Sequence, residues 1–144
     1  MNISNTSARI SAICYVIWGI LHLQAAHAVY VVGQSMSFSM AQGRVFQDAW
    51  NLLFFALAAI GIALTLNWRN SVWGYWINFV NIGVADTGFI LFVVVPGHMG
   101  IWPGILGPVF WIVGLVFSTL GIASRQDGTV GTRTHGNDSL SQPQ

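Results

Sequence analysis

The chain has 144 residues, of which 54% are hydrophobic and only 6% charged, whereas water-soluble domains carry about 25% charged residues. So little polar surface excludes an ordinary water-soluble domain, and a formal net charge of +1 supplies no basic stripe for a nucleic-acid partner. The single cysteine, Cys14, excludes an intrachain disulfide and any metal site that needs several thiolates from this chain. It reads as a small packing residue in an apolar run.

A helix rises about 1.5 Å per residue, so about 20 apolar residues cross a hydrocarbon layer of about 30 Å. Four stretches meet that length and predict an all-α membrane protein, a four-helix transmembrane bundle. They cover about 10–32, 45–66, 72–95 and 104–124, giving a spanning domain over 1–125. The first could also be read as a signal peptide, because Ala26-His27-Ala28 resembles a cleavage site. Against that reading, the apolar run continues through Val29, Tyr30, Val31 and Val32, and a single arginine precedes it.

After the first stretch, Ser35, Ser37 and Ser39 alternate with Met36, Phe38 and Met40 between Gly33 and Gly43. That alternation reads as an amphipathic surface loop, or alternatively as a short extended piece at the outer interface. The second and third stretches are separated by the polar turn Asn67-Trp68-Arg69-Asn70-Ser71. Pro96 and Pro103 bound the last connection. Residues 126–144 are rich in Gly, Ser, Thr, Asp and Asn, cannot bury a core, and are expected to form a disordered tail.

Arg9, Arg69, Arg125 and Arg133 fall on one side of this arrangement and Arg44 alone on the other. The bias places both termini in the cytoplasm and makes this a multi-pass protein of the cell membrane, with the lipid bilayer as its first partner. Trp68, Trp73 and Trp76 would mark the inner interface and Trp102 the outer one. The pairs Gly83/Thr87 and Gly114/Ser118, each four apart, would let helices approach closely.

Polar groups inside a bilayer need a partner or a wet cavity, so their depth carries information. His22 falls near mid-membrane, with Gln24 and His27 further out. Asp48 and Asn51 open the second helix, and Asp86 lies just outward of the middle of the third. Gln24 and His27 share a face, as do Asp48 and Asn51, and Asn78, Ile82 and Asp86 follow at i, i+4 and i+8. These faces should turn inward and line an outward-open pocket. There His22 and Asp86 would act as an acid–base pair, since histidine titrates near neutrality and a carboxylate fixes its tautomer. Gln24, His27, Asp48, Asn51 and Asn78 would orient a small lipophilic substrate.

Other readings compete with this one. The plain structural one is that His22 and Asp86 hydrogen-bond across helices and fix their register. A metal site is disfavoured, because His22 and His27 diverge by about 140° around the helix and no HxxxH or CxxC spacing occurs. No pattern calls for a cofactor. Asp86 could also couple transport to protons, although the chain has no glutamate and so lacks the first-helix acid of the small multidrug resistance exporters. An accessory subunit of a membrane complex and a homo-oligomer remain open. The run Trp18-Gly19-x-x-His22 is too short to assign a family.

Overall fold

The computed structural model describes residues 3–138, with side chains through Arg125. Helix α1 spans Ile3–Ser35 and α2 spans Met40–Thr65. A 3₁₀ turn, Asn67–Arg69, leads to α3, Val72–Phe89, which continues as a π-helical turn over Ile90–Val94. A four-residue turn, α4 (Ile101–Gly104), precedes α5, Leu106–Asp138. No strand occurs among the described residues. Four of the helices are long and apolar enough to cross a membrane, the last over Leu106–Arg125. The expected disordered tail, 126–144, lies outside the residues whose side chains are described.

Two boundaries correct the sequence reading. Helix α1 begins at Ile3 and ends at Ser35, so its 33 residues measure about 50 Å, well beyond a hydrocarbon layer of about 30 Å. The loop expected between Gly33 and Gly43 shrinks to residues 36–39, and the alternative of an extended piece does not form. Ser39 caps α2 by accepting a hydrogen bond from the backbone N–H of Gln42, and the Gln42 side chain donates to the carbonyls of Gly33 and Met36. These bonds satisfy the open ends of both helices and make a tight corner, so the serine alternation reflects helix ends rather than a strand. The polar turn at 67–71 forms as expected. It is closed by Asn70 at φ 55, a left-handed conformation that asparagine tolerates well.

Small residues decide which helices touch. Helix α1 packs against α2 on one side and α5 on the other, while α3 touches α2 and α5. On α2, Ala49, Ala56 and Ala63 recur every seven residues on the buried face. On α5, Gly107, Gly114 and Gly121 do the same. A Cβ at Gly107 would lie 2.9 Å from the His22 ring, one at Gly114 2.7 Å from the Tyr15 ring, and one at Gly121 3.3 Å from the backbone of Ala8. Two small-residue stripes at a two-turn period thus clasp α1. The expected Gly83/Thr87 pair does not pack as a unit: Gly83 faces Trp111, but Thr87 is exposed.

The surface is inverted relative to a water-soluble protein. Asn78 and Asp86 are 0% exposed, while Phe54, Val84 and Phe92 are 60%, 61% and 74% exposed. Apolar side chains cover most of the outside, and the interior is made of alanine, glycine, aromatic rings, Ile82 and polar side chains.

Candidate functional site

Helix α1 carries a buried seam that follows a seven-residue repeat: Ser4, Ser7, Ser11, Tyr15, Trp18 and His22. Across the bundle, α3 buries Gly74, Asn78, Ile82 and Asp86, each one turn after the last. The two seams meet at Trp18, His22 and Asp86. The Trp18 indole N–H donates to both Asp86 carboxyl oxygens, at 3.1 Å each. His22 Nε2 stands 3.6 Å from Asp86 Oδ1, close enough for an ion pair when the imidazole is protonated. His22 Nδ1 lies 2.9 Å from the Trp18 carbonyl oxygen. The one way to bond there is for Nδ1 to donate its proton, so in the neutral ring Nε2 is the bare nitrogen, turned toward Asp86. The two rings stack at 3.7 Å between centroids.

Helix geometry explains this arrangement. Trp18 and His22 are four apart, so their side chains lie one above the other on one face. Long side chains bridge α1 and α3, whose backbones pack chiefly against α2 and α5 rather than against each other. The absence of a side chain at Gly107 leaves room for the His22 ring, and a Cβ there would also approach Asp86 Oδ1 and Trp18 Nε1 to 3.6 Å each. Pro108 belongs in this first turn of α5, where a missing N–H breaks no helical bond. The positive end of the α5 dipole therefore lies beside the carboxylate. One turn after Asp86, the Ile90 N–H is shared between the Asp86 and Thr87 carbonyls, and the helix widens into its π turn. Such widenings are common next to functional residues.

Of the residues expected at the site, His22 and Asp86 come together. Asn78 is buried on the same face as Asp86 but two turns away, where its Nδ2 donates to Asn67 Oδ1 at 2.8 Å. Gln24, His27, Asp48 and Asn51 are all exposed, so they line no enclosed pocket with the pair. The reason is the facing of the helices: the buried positions nearby are His22 and Ala26 on α1 and Ala49 and Ala56 on α2, so Gln24, His27, Asp48 and Asn51 point away from the buried seams. His98, in the connection before α4, is exposed as well. Among the described residues no three His, Cys, Asp or Glu side chains gather as metal ligands would.

Trp18 is the member that sequence reasoning missed as a site residue. Its spacing of four from His22 was the available signal. The seam of serines and Tyr15 on α1 was a second, since six hydrogen-bonding side chains on one face of an apolar helix are costly unless partnered. No family model matches the chain, and neither a curated protein nor a solved structure matches it.

Proposed function

We propose that this is a multi-pass protein of the cell membrane, with its N-terminus and the end of its fourth span in the cytoplasm. Its His22–Asp86 pair binds and releases a proton that is coupled to the passage of a small lipophilic molecule. The observation that carries this reading is a fully buried carboxyl, Asp86, at mid-bundle, held by Trp18 and set 3.6 Å from an imidazole nitrogen. An acid in such a place is expensive unless it is used. Coupling is favoured over conversion of a bound substrate because none of the other expected site residues reaches the pair. Conversion is the second reading. It is supported by His22, whose side chain keeps 11% of its surface open while Asp86 keeps none. The inverted surface, and the exposed Trp68, Trp73 and Trp76 at one end with Trp102 at the other, support insertion and the aromatic belts of a spanning protein.

The test uses proteoliposomes enclosing a pH-sensitive dye, challenged from outside with lipophilic test compounds. Wild-type protein should move protons with the compound, and Asp86→Asn should reduce that movement at least tenfold while the protein still inserts and folds. Flux unchanged in Asp86→Asn would eliminate coupling. A loss of thermal stability without a flux to lose would leave the pair as a register-fixing contact.

Orientation has its own test. Phe38, in the link between α1 and α2, is 101% exposed, and Trp73, at the start of α3, is 75% exposed. With Cys14 replaced by alanine, Phe38→Cys should react with a membrane-impermeant maleimide in intact cells. Trp73→Cys should react only after permeabilisation. The reverse pattern would invert the assignment.

A further inference from the structure

Buried polar atoms in folded proteins almost always have a partner, from the protein or from bound water. Among the described residues, five side-chain atoms are buried without a protein partner: Trp111 Nε1 on α5 and, along the facing seams of α1, the 67–69 turn and α3, the set of four Ser11 Oγ, Tyr15 OH, Asn67 Nδ2 and Asn78 Oδ1. Asn67 and Asn78 are bonded to each other through their remaining amide atoms. Turning both amides together keeps this bond and again leaves one donor and one acceptor unmatched, whereas turning one alone breaks it. Ser11 and Tyr15 are four apart on the buried seam of α1, and the turn that carries Asn67 packs against that helix. The set contains an amide donor, an amide acceptor and two hydroxyls that do either. A bare cation could not satisfy the donor; water satisfies all four.

The other half of the bundle is different. Past His22 the buried residues of α1 are Ala26 and Gly33, with no polar side chain among them. Gly104 faces Phe89 and Met99. The polar seam instead runs from Asp86 toward the N-terminal face and ends where Asn70 Nδ2 donates to Ser4 Oγ and to the Gly121 carbonyl, at 2.9 and 2.8 Å. Titratable and charged groups along it are few. Tyr15 and Cys14 lie on α1, with Arg9 over the Trp68 ring near its start; Tyr75 lies on α3, α2 presents alanines, and among the described residues of α5 the charged group is Arg125, which donates to the Asn70 carbonyl.

We propose that Ser11, Tyr15, Asn67 and Asn78 form an internal water-binding site that connects Asp86 to the N-terminal face of the bundle. Asp86 then exchanges its proton with that side. The proposal deepens the coupling reading and rests on it for the use made of the proton, but the water site itself can be tested without any transport.

The experiment is water-edited solid-state NMR of the full chain, uniformly labelled with ¹³C and ¹⁵N, in lipid bilayers. Magnetisation from water should reach the Asn67 and Asn78 amides about as fast as it reaches the exposed helix ends. Transfer as slow as that to Ile82 or Ala59 in the dry core would overturn the site. Infrared spectroscopy gives the side of access: the Asp86 carboxyl band is assigned by its loss in Asp86→Asn, and deuterium is added to one face of vesicles of uniform orientation. Exchange should be at least tenfold faster from the N-terminal face. Tyr15→Phe and Ser11→Val, which keep the packing, should each slow it severalfold. Faster exchange from the opposite face would overturn the route. Rapid water contact in a protein whose flux ignores Asp86→Asn would support the water site and remove the coupling reading alone.

Discussion

Trp18→Phe is expected to disable the His22–Asp86 pair while leaving the four-helix bundle assembled. Phenylalanine keeps a flat ring for the His22 stack and most of the volume of a residue that is 0% exposed. It removes the one indole N–H that reaches both carboxyl oxygens of Asp86. A buried acceptor stripped of its donor costs about 1–3 kcal/mol, more when it is charged. The loss should appear as a lower midpoint of thermal unfolding in detergent and as a fall in proton movement of tenfold or more. Pairing the change with Asp86→Asn separates the contact from the packing: a coupling of about 1–3 kcal/mol in the double-mutant cycle is expected. Strict additivity would mean that Trp18 acts only by filling space.

The second large effect is expected at Gly107. In Gly107→Ala the new Cβ would stand 2.9 Å from His22 Cε1, so the ring or the helix must shift. The imidazole is stacked on Trp18 at 3.7 Å and tied to the Trp18 carbonyl at 2.9 Å, so it cannot swing aside without breaking both contacts. Overpacking of this kind costs about 1–3 kcal/mol. Here the cost falls on the acid–base pair, so activity should drop further than stability does. Gly88→Ala is the matched control. Gly88 is also helical, but a Cβ there meets nothing within 4 Å, and the gain in helix propensity should leave stability unchanged or raised by about 0.5–1 kcal/mol. Equal losses in both variants would show that Gly107 is not a special point of approach.

Much of the architecture was legible in the chain, because a spanning helix is defined by length and composition alone. Four apolar runs, a polar turn at 67–71 and a proline-bounded connection are local features, and each recurs in the structure. The face shared by Asn78, Ile82 and Asp86 was equally legible, since a period of 3.6 residues needs no knowledge of neighbours. What the chain could not show was which faces meet. Gln24, His27, Asp48 and Asn51 had the same claim to the interior as His22, but the faces of α1 and α2 that pack inward carry His22, Ala26, Ala49 and Ala56 and leave all four exposed.

The sequence by itself determined that this protein is built from four long apolar helices and that His22 and Asp86 lie at similar depth. The tertiary structure alone decided that they touch, that Trp18 joins them, and that the polar seam runs toward the N-terminal face. The physical reason is that depth and facing are properties of one helix, whereas partnership depends on where two helices can approach. That approach is set by stripes of alanine and glycine on α2 and α5, whose effect appears only when the helices are packed together.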